Sequence, residues 1–365
     1  MLFRSYFQVT PTHKARTWLL DPRAPHVDPP NTSIARAQAA NRERAEQYKK
    51  NISSEKMLEV KNLSVHFGSK RHPFKAVQDV SFDIYKGETF GLVGESGSGK
   101  TTIGRAIIRI NEATEGQIIY NGKRISGKID RKLDHTVTEK IQMIFQDPMA
   151  SLNERAKVSY IVAEGLMNTH PELSKSEIEE RVARALDDVG LLPEFSSRFP
   201  HEFSGGQRQR IGIARCLIME PDFIVADEPI SALDVSIRAQ VLNLMSAMQQ
   251  QRGLTYLFIS HDLSVMRFIC DRIAVIYKGE FKELAETEEL FAHPLHPYTK
   301  ALLSAIPLPD PEYERSKKLI TYDSKCHDYS TDKPQWAEIR PGHFVSGNSE
   351  ELKRYNEELD EGGSS

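Results

Sequence analysis

The residues with the clearest chemistry are Gly94–Thr101, which read Gly-Glu-Ser-Gly-Ser-Gly-Lys-Thr. They fit the pattern G-x-x-x-x-G-K-[ST], which is typical of a loop that binds nucleotide phosphates. Glycine lets backbone N–H groups close around the phosphates, and the N-terminus of a following helix adds a positive dipole. Lys100 can reach the β- and γ-phosphates, and the Thr101 hydroxyl can ligate Mg²⁺. The residues predicted to bind the nucleotide in this loop are Gly94, Glu95, Ser96, Gly97, Ser98, Gly99, Lys100, Thr101 and Thr102.

Four further segments carry groups that suit the same chemistry. Asp227 and Glu228 end an apolar run, so the aspartate can hold Mg²⁺ through its water shell and the glutamate can polarise an attacking water. His261 can hydrogen-bond the γ-phosphate, and Gln146 can sense Mg²⁺ and the attacking water. The segment Ser204–Gln207 offers a hydroxyl and free backbone N–H groups at a helix start, which is a second anion-binding surface. Taken singly these signals are weak, since a lone histidine at a strand end is more often structural. The predicted catalytic residues are Glu228, His261 and Gln146, the predicted Mg²⁺ ligands are Thr101, Gln146 and Asp227, and the second anion-binding surface comprises Ser204, Gly205, Gly206 and Gln207.

Short apolar runs next to these segments predict the elements that position them. The run Thr89–Val93 indicates a buried strand before the glycine-rich loop, and the residues from Thr102 to Ile108 indicate a helix after it. Strands are also predicted at Phe223–Glu228 and Thr255–Ser260, and Arg272–Tyr277 is expected to be the last strand of the core. Strands that alternate with helices predict a mostly parallel sheet covered on both faces.

Other patterns indicate strands before the loop and helices between the chemical segments. Alternating apolar residues from Leu58 to Phe67 and from Val80 to Ile84 predict antiparallel strands. The run Glu115–Gly122 predicts a strand that ends in an Asn-Gly turn. From Val158 to about Leu191 the apolar spacing is helical, and Ser174 with a glutamate three residues later fits a capping box.

Composition describes an ordinary globular chain. The 365 residues are 39% hydrophobic and 27% charged, and the net charge of −3 gives no general case for nucleic-acid binding. No apolar run approaches the roughly 18 residues that a membrane span needs. The cysteines Cys216, Cys270 and Cys326 are widely spaced, which argues against a disulfide framework and against a zinc site. These features predict a soluble cytoplasmic protein without a signal peptide.

The five segments together, in this order, resemble the ATP-binding-cassette ATPase family from about Leu58 to Phe281. The resemblance implies an α/β fold, a P-loop NTPase cassette with a RecA-like parallel-sheet core, an antiparallel β subdomain and an α-helical signature subdomain. It implies ATP and Mg²⁺ as cofactors. In the family's terms the chain has Walker A at Gly94–Thr101, the Q-loop glutamine at Gln146, the signature motif at Phe203–Gln207, Walker B at Asp227 with the catalytic base Glu228, the D-loop at Ser231–Asp234, the switch histidine at His261, and the adenine-stacking aromatic at Phe67.

The same resemblance implies a head-to-tail pair of cassettes. Each ATP would lie between the P-loop of one subunit and the signature motif of the other. Ser204 and Gly206 would therefore serve a nucleotide that the partner holds. Closure on ATP and opening after hydrolysis would provide the power stroke.

A motif after the cassette indicates the branch of the family. His293–Thr299 reads His-Pro-Leu-His-Pro-Tyr-Thr, which resembles the C-terminal element of the ATPase subunits of oligopeptide, dipeptide and nickel importers. The whole cassette, including the motifs at Phe145–Asn153 and Phe203–Arg210, looks most like an ATPase of an oligopeptide permease. Such a system implies a second ATPase subunit, two transmembrane permease subunits and an extracellular substrate-binding protein, with no nucleic acid, at the cytoplasmic face of the membrane. The alternatives are a soluble cassette ATPase that acts on ribosomes or DNA, and a transporter motor for nickel or another cargo.

These features divide the chain into three predicted parts. Residues 1–56 form a basic appendage that is partly helical or disordered, with a helix favoured between Thr32 and Lys50. Residues 57–285 form the nucleotide-binding domain, whose helical subdomain spans about 150–215. Residues 286–365 form a C-terminal extension in which the acidic part is either a short docking domain or a flexible tail.

Overall fold

The computed structural model describes residues 7–10, 13–15, 54–69, 71–306 and 319–362. Within the predicted N-terminal appendage it contains an antiparallel pair, β1 (Phe7–Thr10) with β2 (His13–Ala15). The helix favoured between Thr32 and Lys50 lies outside the described residues.

An eight-stranded sheet forms the centre of the fold, in the order β13-β14-β12-β11-β5-β10-β9-β8. Its strands are β5 (Thr89–Val93), β8 (Ile141–Ile144), β9 (Phe223–Asp227), β10 (Thr255–Ser260), β11 (Arg272–Tyr277), β12 (Glu280–Glu286), β13 (Gln335–Arg340) and β14 (His343–Gly347). Strands β8, β9, β10, β5 and β11 pair in parallel. Every residue of β5, β9 and β10 is buried, as expected for parallel strands that are covered on both faces.

The expectation that Arg272–Tyr277 is the last strand of the core was wrong. Strand β12 pairs antiparallel with β11, and the hairpin of β13 and β14 continues the sheet beyond it. The C-terminal segment also contains α11 (Ser349–Gly362), whose Tyr355 and Leu359 pack with Val345 of β14. Of the two readings of the acidic segment, the described residues therefore fit a short folded unit on the sheet.

A second sheet has four antiparallel strands in the order β4-β3-β6-β7. Two of these strands precede the glycine-rich loop in the sequence and two follow it. The sheet comprises β3 (Lys56–Ser69), β4 (His72–Tyr85), β6 (Glu115–Tyr120) and β7 (Lys123–Arg124). The Asn121-Gly122 turn between β6 and β7 has positive φ at both residues, as a two-residue hairpin turn requires.

Helices cover the parallel sheet and connect its strands. They are α1 (Lys100–Ile107), α2 (Arg131–Lys140), α3 (Pro148–Ser151), α4 (Val158–Thr169), α5 (Lys175–Asp188), α6 (Gly205–Leu217), α7 (Val235–Arg252), α8 (Leu263–Ile269), α9 (Thr287–Ala292) and α10 (Pro297–Ser304). Alternate residues of β9 enter different cores. Ile224 and Ala226 pack with the helical layer of α4, α5 and α6, whereas Phe223 and Val225 pack with α1 and the antiparallel sheet. The predicted cassette architecture is thus the observed one.

Candidate active site

The glycine-rich loop joins the end of β5 to the start of α1, and two of its glycines cannot be replaced without a clash. A Cβ on Gly94 would lie 2.1 Å from the carbonyl oxygen of Ile276. Gly99 has a φ of +106°, and a Cβ there would lie 2.5 Å from the carbonyl oxygen of Ala76. The loop therefore packs tightly between β11 and β4, at positions that only glycine allows.

Lys100 is the first residue of α1, and its side chain is folded back over the loop. Its Nζ donates to the carbonyl oxygens of Gly94 at 2.7 Å and Glu95 at 2.8 Å. Burial lowers the pKa of this ammonium group, while the carboxylates of Glu228 and Asp227 oppose that shift. A buried cation beside a helix N-terminus is an environment that attracts the negative charge of phosphate.

Two of the predicted Mg²⁺ ligands meet across the site. The Thr101 hydroxyl donates to Asp227 Oδ1 at 2.9 Å, which joins the first turn of α1 to the end of β9. Asp227 is buried, and burial raises the pKa of its carboxyl while the hydrogen bond from Thr101 opposes the shift. Hydroxyl and carboxylate oxygens suit a hard cation such as Mg²⁺, which usually takes one or two protein ligands together with substrate phosphates. Among the described residues, no cluster of three or more His, Cys, Asp or Glu side chains that could hold a metal occurs.

The three predicted catalytic residues also come together. Gln146 Nε2 donates to Glu228 Oε2 at 2.9 Å, and His261 Nδ1 lies 3.3 Å from Glu228 Oε1. Glu228 comes directly after β9 and His261 directly after β10, and Gln146 is the second residue after β8. The carboxyl ends of these parallel strands share one edge of the sheet, which is where ligands bind in such folds.

The segment after Glu228 is tied to it and leads to an exposed turn. The Ser231 hydroxyl donates to the Glu228 carbonyl oxygen at 3.1 Å. Asp234 precedes α7 and is exposed, and its side chain makes no capping hydrogen bond to that helix. Its carboxylate is thus presented at the surface, together with the exposed side chain of Val235.

The second anion-binding surface lies at the start of α6. Ser204 is the N-cap residue, and it forms a reciprocal capping box with Gln207. Gly206 packs closely on α7, since a Cβ there would lie 2.5 Å from Ile237 Cγ2. Ser204 and Gly205 are exposed, and within the described residues no hydrogen bond joins Ser204–Gln207 to the glycine-rich loop. The structure therefore brings the loop, Asp227, Glu228, Gln146 and His261 together but leaves this segment apart from them.

Phe67 lies near the tip of the β3–β4 hairpin and faces solvent. Its side chain is 42% exposed, and it pairs in register with Phe74, which is also exposed. A role as a core aromatic is therefore excluded.

Sequence reasoning missed one contact at the site. The Tyr298 hydroxyl accepts a hydrogen bond at 3.1 Å from the N–H of Glu95 in the glycine-rich loop. The two residues are 203 positions apart in the chain, and no local pattern connects them.

Comparison with known proteins agrees with this geometry. The family described as "ABC transporter" matches residues 77–231, and the family described as "Oligopeptide/dipeptide transporter, C-terminal region" matches residues 283–330. The chain is 61% identical to the oligopeptide transport ATP-binding protein AmiF of Streptococcus pneumoniae, over 84% of this chain and 99% of that protein. It is 55% identical to the oligopeptide transport ATP-binding protein OppF of Bacillus subtilis, over 83% of this chain and 100% of that protein.

Solved structures of cassettes share the fold. A dimeric post-hydrolysis state of the ATP-binding cassette MJ0796, bound to ADP and Pi, aligns with a TM-score of 0.58 at 28% identity, over 63% of this chain and 99% of that one. The cassette cbiO1 from Clostridium perfringens aligns with a TM-score of 0.58 at 29% identity, over 66% of this chain and 92% of that one. The chain therefore belongs to the ABC transporter family of ATP hydrolases, in the branch of the oligopeptide transport ATP-binding proteins.

Proposed function

We propose that this chain is the ATPase subunit of a membrane peptide importer and drives uptake by hydrolysing ATP at a head-to-tail interface with a second ATPase subunit. The observation that carries the proposal is the convergence of Lys100, Thr101 with Asp227, and Glu228 with Gln146 and His261 at one edge of the sheet. The relatives named as oligopeptide transport proteins support the cargo class.

The residues of this edge divide the reaction between them. The N–H groups of Gly97–Thr102 and the Lys100 ammonium bind the phosphates, while Phe67 offers an exposed ring on which adenine stacks. Thr101, Asp227 and Gln146 are the residues that would hold Mg²⁺, and the ion would supply positive charge that stabilises the phosphates during hydrolysis. Glu228 orients and polarises the attacking water, and His261 contacts the γ-phosphate.

Exposure of the signature segment supports a dimer. Ser204 and Asp234 are both exposed, and neither contributes to this chain's own phosphate loop. A partner placed head to tail supplies each loop with the hydroxyl and N–H groups of the other subunit's segment. A cassette in the same fold class was solved as a dimer.

A groove beside the site supports the docking of permease subunits. It has a volume of about 410 Å³, lies between the parallel sheet and the helical layer, and is lined in part by Ile110, Phe145 and Leu152. Ile110 is 59% exposed. Phe145 lines the groove, and the next residue, Gln146, donates a hydrogen bond to Glu228. A permease segment bound in the groove would therefore contact the residue next to the catalytic edge. None of the described helices is long and apolar enough to cross a membrane, which fits a peripheral subunit at the cytoplasmic face.

Purification of the tagged full chain in mild detergent, with its companions identified by mass spectrometry, tests the proposal. We expect two multispanning permeases and a second cassette ATPase, whereas recovery of ribosomal or DNA-repair proteins alone would leave only the ATPase activity standing. Ile110→Asp in the groove should lose the permeases and keep ATP binding. Leu319→Asp, at a residue outside the groove that is 70% exposed, is the matched control and should keep both.

A further inference from the structure

Tyr298 links the C-terminal segment to the phosphate loop. The residue is 1% exposed, and its ring packs 4.6 Å from the ring of Tyr277 and 5.3 Å from that of Tyr322 between centroids. Its hydroxyl accepts the N–H of Glu95, while Lys100 Nζ donates to the carbonyl oxygen of the same residue. The Glu95 backbone is thus held at both its polar groups by side chains.

A buried carboxylate fixes the turn that carries Tyr298. Glu283 accepts the N–H groups of Leu295 at 2.8 Å and His296 at 2.9 Å, and its Oε1 also lies 2.9 Å from His343 Nε2. His296 then caps α10, since its Nδ1 accepts the N–H of Tyr298 at 3.0 Å. The position of the Tyr298 hydroxyl is therefore set by strands β12 and β14 of the C-terminal half of the sheet.

Both side chains of this link stay neutral near physiological pH. Burial lowers the pKa of His296 to about 2, with Lys282 and His327 adding to the shift, so its Nδ1 keeps the lone pair that accepts from Tyr298. Burial raises the pKa of the Tyr298 hydroxyl to about 12. The contact with Glu95 is therefore a neutral hydrogen bond that ordinary changes of pH leave in place.

We propose that Tyr298 is a positioning residue for the phosphate loop, so that ATP affinity depends on the docking of the C-terminal segment against it. The proposal rests on the proposed role of the loop in binding ATP. Without the hydroxyl, the peptide between Gly94 and Glu95 loses the hydrogen bond on its N–H side and is held only through its carbonyl oxygen, so it can rotate more easily. Because Lys100 bonds the carbonyl oxygens of these two residues, that rotation moves the ammonium group away from the phosphates.

Tyr298→Phe removes the hydroxyl and keeps the ring. We expect the dissociation constant and the KM for ATP to rise about two- to tenfold, the range that one neutral hydrogen bond explains, while kcat stays within about twofold. Tyr322→Phe deletes a hydroxyl from the same aromatic cluster and should change neither constant. An unchanged KM and dissociation constant in Tyr298→Phe would overturn the proposal.

Amide hydrogen exchange measures the link directly and separates local from global effects. In the full-length Tyr298→Phe protein, the peptide containing Glu95 should exchange about two- to tenfold faster than in the wild type, relative to a peptide from β9. An equal rise in both peptides would mean a general loss of stability and would contradict a positioning role. The Lys100→Ala variant tests separately whether the loop binds ATP at all. Normal ATP binding by Lys100→Ala would reject the assignment of the loop as the ATP site. Loss of ATP binding in Lys100→Ala, with no effect in Tyr298→Phe, would reject only the positioning role of Tyr298.

Discussion

Glu228 holds a backbone conformation that its residue type rarely adopts. Its φ is +44°, in the left-handed region, and its N–H donates to the Ile259 carbonyl oxygen on β10 at 3.0 Å. The Ser231 hydroxyl donates to the Glu228 carbonyl oxygen at 3.1 Å, so the residue is held from both sides. Strained conformations of this kind persist where the surroundings determine them, and they cluster at functional sites.

Substitution of Glu228 tests its role as the base. Glu228→Gln keeps the shape of the side chain but cannot take a proton, so turnover in the assembled complex should fall by about 10²–10⁴-fold while ATP binding is kept. Steady-state ATPase assays and nucleotide binding check this. Glu172→Gln makes the same change at an exposed site on the helical layer and should leave both unchanged. Retained hydrolysis in Glu228→Gln would reject the assignment.

The buried position of Asp227 affects the stability of the fold. Its pKa is raised, mainly by burial, so the ionised carboxylate lowers the free energy of unfolding at neutral pH, and that loss disappears as the pH falls through the raised pKa. Asp227→Asn should therefore melt at a higher temperature than the wild type at neutral pH without nucleotide, with a gap that narrows in acid.

The same variant separates stability from metal binding. Addition of Mg²⁺ should raise the melting temperature of the ATP-bound wild type but not that of Asp227→Asn, because the variant lacks the carboxylate. Thermal melts with and without Mg²⁺ across a pH series provide the measurement. A variant that melts below the wild type at every pH would contradict the reading of Asp227.

At this scale the sequence singled out the candidate residues, and the structure shows that they lie at one edge of the sheet. Asp227 ends a buried parallel strand and Glu228 and His261 each follow one, and parallel strands that run side by side end at the same edge of a sheet. The contact of Tyr298 with Glu95 was not predictable, because it depends on how a helix far along the chain docks. The roles of these residues in catalysis stay predictions until they are measured.

Two helices of the helical layer begin with the same device. Ser174 caps α5 through a reciprocal box with Glu177, and Ser204 caps α6 through the same arrangement with Gln207. Only the cap of α6 is proposed to meet a partner's nucleotide. A comparison of Ser174 with Ser204 can therefore distinguish the effect of a cap on stability from an effect on ATP hydrolysis.

Alanine at each cap gives a matched comparison. Ser174→Ala and Ser204→Ala should each reduce the free energy of unfolding by about 1 kcal/mol, the usual effect of losing an N-cap hydroxyl. Only Ser204→Ala should also lower the ATPase rate of the assembled complex. Denaturant melts and ATPase assays on both variants check this, and an equal loss of activity in the two would reject the signature role of Ser204.

Strand β12 shows why one element escaped sequence prediction. Its buried positions include Lys282, which is paired with Glu280, and Glu283, which is paired with His343. Strand prediction relies on apolar residues at buried positions, and here two of them are charged. Strands β5, β9 and β10 were predicted because their buried positions are mostly apolar, with polar side chains only at the strand ends, at Thr89, Asp227, Thr255 and Ser260.

One sheet of eight strands includes both the parallel core and the C-terminal hairpin. His343 of β14 is buried and lies 2.9 Å from Glu283 of β12 and 3.5 Å from Glu289 of α9. The C-terminal segment is thus attached to the core through strand pairing and through this polar cluster. We expect the hairpin and the core to unfold in one transition.

His343→Ala tests that attachment. The variant leaves buried Glu283 without one of its partners, so the free energy of unfolding should fall by about 1–3 kcal/mol. Urea denaturation followed by circular dichroism measures the change. His201→Ala removes an exposed histidine and should have little effect. A separate early transition in the wild type would show that the hairpin is not part of the core's cooperative unit.

The order of strands in the sheet also matters while the protein is being made. Strand β12 is completed well before β14, its partner in the sheet, has been synthesised, so its outer edge is open for part of translation. Open edges of long apolar strands pair with those of other chains, and charged side chains prevent this. Lys282 and Glu283 place such side chains on β12, and in the finished sheet Lys282 pairs with Glu280 while Glu283 hydrogen-bonds His343. We therefore expect Lys282 and Glu283 to limit pairing of this edge with other chains until β14 has been synthesised, when Glu283 holds the C-terminal segment through His343.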